Sequence, residues 1–182
     1  MIRCCDDEER IGHTIIRVAN HLRSMKIAFE LLVVDEGSGD NTLAIAALLR
    51  ASYPELETLH ASSGHGYLTG AERARGRVVV VSDLLDDAPL AMLGYALGRI
   101  ERGIDVVALD GRFIGFRRTR ALRALDALAT THRSHEPNRR FVRRARALGL
   151  AVAVVQPRRQ RVLQWVRNIL PVHRLHPFSF LG

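Results

Sequence analysis

Apolar residues Ile11, Ile15, Val18, Leu22 and Met25 recur at spacings of three and four, the period of one face of an α-helix. The acidic cluster just before them, Asp6 to Glu9, suits a helix N-terminus. Phe29-Glu30-Leu31-Leu32-Val33-Val34 has no such period. It is a short run rich in apolar residues, stopped by Asp35-Glu36-Gly37-Ser38-Gly39-Asp40, and predicts a buried strand that runs into a loop. A helix from about Asn41 to Ala51 follows. Further strands are predicted around Leu59 and over Val78 to Val81, Val106 to Leu109 and Ala151 to Val155. Helix-like stretches lie between them, around 66–75, 88–102, 118–129 and 138–148. Strands alternating with helices predict an α/β fold: a mostly parallel sheet flanked by helices.

At 182 residues and 47% hydrophobic content the chain can bury one real core, and it is read as one domain over 1–156. Gln156-Pro157 opens a basic, partly apolar tail, 157–182, with one more predicted helix from Val162 to Leu170 ended by Pro171. No stretch reaches the roughly 18 to 20 apolar residues of a membrane span, and MIRCCDDEER has no signal-peptide core. The expected location is therefore the cytosol. Cys4 and Cys5 are adjacent, a poor geometry for a structural disulfide, and lack zinc-site spacing; they are read as reduced and packed.

Charge changes the picture more than composition does. The net charge is +8, yet residues 1–60 carry 6 basic and 10 acidic side chains, 61–110 carry 5 and 7, and 111–182 carry 16 and 2. An acidic front joined to a basic end argues against a nucleic-acid partner and for a metal-and-nucleotide site with an anion-facing C-terminal part. In the tail, Trp165, Val166, Ile169, Leu170, Phe178 and Phe180 stand beside arginines, a composition suited to peripheral contact with the inner face of an anionic membrane, or to a partner groove.

Ligands of open α/β sheets bind beyond the carboxyl ends of the strands. Asp6-Asp7 follows the segment Ile2 to Cys5, Asp35 follows Val33-Val34, and Asp83 follows Val78 to Val81, so three strands deliver carboxylates to one edge. Such carboxylates can ligate a hard divalent cation or accept hydrogen bonds from a nucleoside. A plainer reading stands beside this one: Asp6 to Glu9 as a favourable helix start, Asp40 as an N-cap, and Asp86-Asp87 as an acidic helix cap.

Leu32-Val33-Val34-Asp35-Glu36-Gly37-Ser38-Gly39-Asp40-Asn41-Thr42 resembles the VVDDGSxDxT motif of family 2 glycosyltransferases. Asp6-Asp7-Glu8-Glu9-Arg10-Ile11 is similar to that family's NEExxI, and Gly66 to Gly76 to its G-x-x-x-A-x-N-x-G segment. Val78 to Asp87 is similar to the strand leading into its DxD motif. The resemblance covers roughly residues 2–155 and implies a GT-A fold, built to bind a nucleoside-diphosphate sugar. It implies that Asp35 and Asp6, with Asp7, Glu36 and Ser38 around them, hold the nucleotide. Asp83 would approach the diphosphate and, with Asp86, a Mg²⁺ or Mn²⁺ ion. Glu136, in His135-Glu136, is the nearest candidate for the base of an inverting transfer. The sequence departs from the family in four places. The first strand is reduced to Met1-Ile2-Arg3, DxD reads Asp83-Leu84-Leu85, the span from Asp83 to Phe113 is short, and no ED pair or QxxRW follows. Two functions are therefore expected: a metal-dependent glycosyltransferase with an unknown, lipid-linked or other acceptor, or a non-catalytic binding or regulatory protein on the same scaffold.

Overall fold

The computed structural model describes residues 1–82, 87–109, 113–128 and 137–155. In chain order these form β1 (Ile2–Cys4), α1 (Glu8–Ser24), β2 (Leu31–Asp35), α2 (Thr42–Leu49), β3 (Leu56–His60), α3 (Gly66–Arg73) and β4 (Val78–Ser82). There follow α4 (Asp87–Glu101), β5 (Val106–Leu109), β6 (Phe113–Arg117), α5 (Arg118–Ala121), a 3-10 turn over Leu122–Leu128, α6 (Pro137–Ala147) and β7 (Val152–Val155). The strands make one sheet in the order β3-β2-β1-β4-β6-β5-β7. β1 pairs in parallel with both β2 and β4, as β2 does with β3 and β5 with β7. β6 alone among the described strands runs antiparallel, between β4 and β5. The sheet is thus mostly parallel and flanked by helices, as the alternation predicts.

Helices cover both faces. On one, Ile11, Ile15 and Val18 of α1 and Leu93, Ala96 and Ile100 of α4 pack on Ile2, Leu31, Val33 and Phe113. On the other, Tyr67 and Ala71 of α3, the 3-10 turn and Phe141 of α6 pack on Leu32, Val79, Val81, Ile114 and Phe116. All five residues of β2 are buried, the mark of a strand covered on both sides. The Phe116 and Phe141 rings meet with centroids 5.0 Å apart, within the range of favourable aromatic contact.

Three expectations need correction. The stretch 118–129 is a short α-helix followed by a 3-10 turn rather than one helix. β6 was not predicted at all. It pairs antiparallel with both β4 and β5, and at its centre Gly115 faces Ile100 and Ala96 of α4. Cys4 is buried as expected, but Cys5 is exposed. The first strand, short as it is, is an interior strand of the sheet, between β2 and β4. The tail 157–182, with its expected helix, lies outside the described residues. Among the described residues no helix is long and apolar enough to cross a membrane.

Candidate active site

The parallel strands β1, β2 and β3 end side by side, with Cys4 opposite Asp35 and Asp35 opposite His60. The loops that leave them are joined by hydrogen bonds from backbone to side chain. Asp6 N–H donates to Ser38 Oγ at 3.0 Å, and Gly39 N–H returns to Asp6 Oδ1 at 2.8 Å. Asp7 N–H donates to Thr42 Oγ1 at 2.8 Å and Glu8 N–H to Asp40 Oδ2 at 3.0 Å. Glu8 Oε2 in turn accepts from Asn41 N–H at 3.0 Å and from Asn41 Nδ2 at 2.9 Å. The first acidic loop and the Gly-Ser-Gly-Asp loop are therefore one structure.

Local chemistry explains why these residue types stand here. Asp6 adopts φ +54°, a left-handed conformation that Asp tolerates better than most residues, and Gly37 turns at φ +89°. Asp40 also accepts Thr42 N–H at 2.9 Å. The Thr42 side chain first, and then the backbone donors, hold its carboxyl below the usual range. Asp7 stands at the N-cap of α1 but makes no side-chain cap bond to that helix. Its Oδ2 accepts Cys5 N–H at 3.1 Å instead. The N-cap expected of Asp40 is likewise replaced. Asn41 occupies that position, and Asp40 binds Thr42 N–H from just outside.

Asp35 is the most enclosed member, 1% exposed. Its carboxylate accepts Gly37 N–H at 3.2 Å, Ser38 N–H at 3.2 and 3.3 Å, and the Ser38 hydroxyl. His60 Nδ1 stands 3.3 Å from its Oδ2. On the other side Cys4 Sγ lies 3.9 Å from Asp35 Oδ1 and 3.7 Å from the Val34 carbonyl. Burial, and next the Asp35 carboxylate, push the Cys4 thiol up to about 12, so it stays protonated and inert.

Glu36 works on the opposite face of the sheet. Its Oε1 accepts Gly66 N–H at 2.7 Å, at the start of α3, and its Oε2 lies 3.7 Å from Arg3 Nη1. The Arg3 guanidinium is 4.8 Å from the centre of the Tyr67 ring. A Cβ at 66 would come within 2.7 Å of Glu36 Oε1, so a larger residue there would push this carboxylate off the Gly66 N–H. Glu36 thus fastens the third loop to the second.

Asp6, Asp7, Asp35, Glu36 and Ser38 are therefore brought to one edge. Asp83, Asp86 and Glu136 lie outside the described residues. Among the described residues no three His, Cys, Asp or Glu side chains group as a metal site would require. Sequence reasoning overlooked His60, which carries no motif and becomes visible only through its register with Asp35. Arg3 was likewise overlooked.

The model of glycosyl transferase family 2 matches residues 1–157. The chain belongs to that family. No curated protein is matched by its sequence. Among solved structures, this family 2 chain is similar to glucosyl-3-phosphoglycerate synthase from Mycobacterium tuberculosis, in a complex with Mn²⁺, UDP and glucosyl-3-phosphoglycerate. Identity is 16% and the TM-score 0.59, with 85% of this chain and 67% of that one covered. It is also similar to a mannosyltransferase from Pyrobaculum calidifontis in complex with GDP-Man and Mn²⁺, at 18% identity and a TM-score of 0.63, covering 90% of this chain and 58% of that one. The fold is the GT-A fold. The family 2 chain spans between about three fifths and two thirds of the length of these two structures.

Proposed function

We propose that the protein transfers a sugar from a nucleoside-diphosphate sugar to an acceptor hydroxyl, with the donor bound over the carboxyl ends of β1, β2 and β4. The observation that carries this reading is the joined edge of a family 2 chain, where Asp6, Asp7, Asp35, Glu36 and Ser38 are held in fixed positions by one another's loops. The two similar structures hold UDP or GDP-Man at a GT-A fold, which supports a nucleotide-sugar donor here.

In this reading Asp35 and Asp6 shape the nucleoside end of the site. Asp83 and Asp86 provide oxygen donors of the kind Mg²⁺ and Mn²⁺ prefer, and the similar structures contain Mn²⁺. A bound divalent cation would offset the charge that gathers on the departing diphosphate. Glu136 is the residue we assign to take the proton from the acceptor hydroxyl as that oxygen bonds to the anomeric carbon. The arginine-rich segment 157–182 is assigned to peripheral contact with an anionic membrane, and a lipid-linked acceptor goes with that assignment.

Titration calorimetry with UDP and GDP, with and without Mn²⁺, tests the donor site on wild type and Asp83→Ala. The expected result is metal-dependent binding that the variant loses, together with release of nucleoside diphosphate from a nucleotide sugar. The leucines of Asp83-Leu84-Leu85 favour a second reading, a binding protein without transferase chemistry. Nucleotide binding with no turnover would select that one, and no binding by the folded wild type would remove the first.

A further inference from the structure

We infer that the exposed face of α6 docks on an anionic phospholipid bilayer through its arginines. This surface is separate from the segment 157–182 assigned above, and the inference depends neither on that assignment nor on the donor site.

α6 (Pro137–Ala147) holds five arginines and no acidic residue. Its inner side is committed to the core: Phe141 and Ala145, one turn apart, are fully buried, and Phe141 meets the Phe116 ring. Arg139, Arg143 and Arg146 recur at spacings of four and three on the opposite side, with Arg140 and Arg144 beside them, and all five are exposed. The helix is thus pinned by one side and presents rows of cations on the other.

Three of these cations have no carboxylate to meet. Arg23, Arg73, Arg75 and Arg120 are each paired with one. Among the described residues no salt bridge reaches Arg143, Arg144 or Arg146. Beyond residue 110 the acidic residues are Asp126 and Glu136 alone, against 16 basic ones, whereas residues 1–110 carry 11 basic and 17 acidic side chains. A negative surface therefore attracts the α6 end of the chain and repels the rest, which orients the molecule on it.

A guanidinium pairs in bidentate fashion with phosphate oxygens, whether these belong to a lipid headgroup or to a nucleic acid. The exposed leucines decide between the two. Leu148 follows α6 and is 37% exposed; Leu122, 51% exposed, stands next to Arg123 on the 3-10 turn that α6 packs against. Leucines among arginines suit the boundary between headgroups and acyl chains, while a phosphate backbone rewards charge alone. Because α6 keeps its own apolar side in the core, it adsorbs on headgroups rather than sinking below them, so the binding is governed by charge and is sensitive to salt.

The test is co-sedimentation of the full chain with vesicles of phosphatidylcholine alone and of an equal mixture of phosphatidylcholine and phosphatidylglycerol. Wild type is compared with the triple variant Arg143→Gln, Arg144→Gln, Arg146→Gln and with the same three positions changed to lysine. Wild type is expected to bind the mixed vesicles and not the neutral ones at about 0.1 M salt, and to be released at about 1 M, where the screening length falls to about 3 Å. Each charge lost near the surface weakens binding roughly fivefold, so the glutamine variant should bind about a hundredfold less tightly, and the lysine variant within a few fold of wild type. The positions are exposed, so both variants are expected to fold, and matched melting curves check this. Equal binding by wild type and the glutamine variant would overturn the inference and leave 157–182 as the membrane contact. Failure of wild type to bind the mixed vesicles would overturn both. Tighter binding to a duplex oligonucleotide at equal phosphate, lost in the glutamine variant, would overturn the inference by assigning the face to nucleic acid.

Discussion

The two ends of the sheet are held by different chemistry. At the carboxyl ends of β1 and β2, Asp6, Glu8 and Asp40 take backbone N–H groups of the neighbouring loops. At the amino ends, carboxylates meet arginines: Glu55 with Arg23, Glu57 with Arg73, and Asp105 with Arg120. Glu30 joins the two styles, accepting Arg75 N–H at 2.6 Å and Gly76 N–H at 2.8 Å as well as the Arg75 side chain. A cavity of about 270 Å³ opens at this amino end, lined by Ile2, Leu31, Val78 and Val80 with Val18, Leu22 and Leu93 from the helices. Backbone donors fix a carboxylate's position without supplying a full positive charge, so Asp6, Glu8 and Asp40 keep their negative charge largely uncancelled. Arginines cancel charge at the amino edge, where exposed pairs add little stability.

The largest loss of stability is expected at Ile2, a β1 residue that is 1% exposed and lines the cavity. Ile2→Ala should lose about 2 to 5 kcal/mol in chemical denaturation, because the void beside it grows.

Glu30→Gln should cost less, about 1 to 3 kcal/mol at neutral pH, since it weakens charge-assisted bonds to Arg75 and Gly76. Burial alone would raise the Glu30 carboxyl. The Arg75 and Gly76 amides and then the Arg75 side chain outweigh it and hold the group below its ordinary 4.5. A depressed acid contributes stability above its unfolded value and loses it as pH falls through the folded one. The gap between wild type and variant should therefore be full above about pH 4.5 and should close on further acidification, as read by melting curves.

The smallest change in stability is expected at the carboxyl edge. Ser38→Ala removes the hydroxyl shared by Asp6 N–H and Asp35, at a cost of about 1 kcal/mol. Its effect on UDP affinity should exceed its effect on the melting temperature. The reverse order would mean that the joined loops serve only the fold.

Much of this was legible in the sequence. The period-three-and-four spacing of Ile11, Ile15 and Val18 marked the buried face of α1, and the unbroken run through Val34 marked a strand covered on both sides. The Asp35 to Asp40 pattern located the loop at the edge. What escaped had non-local causes. β6 gave no strand signal of its own, and its place is set by antiparallel pairing with β4 and β5. His60 gave no signal because its meaning depends on strand register. Nor could the motif disclose that Asp6, Glu8 and Asp40 spend oxygens on one another's loops, since each partner lies some thirty residues away.

The interior place of β1, between β2 and β4, also sets an order of events during synthesis. Ile2–Cys4 emerges long before β4, yet it must be flanked by both β2 and β4, and Met1 N reaches the Val80 carbonyl across 79 positions. At about 5 to 20 residues per second that interval is roughly 4 to 16 s. Throughout it β1 can be paired at most with β2, and the sheet has an open edge where β4 belongs. The nascent chain spends that time with its future interior as its most adhesive surface, which makes the interval before Ser82 emerges the period when a chaperone has the most to protect.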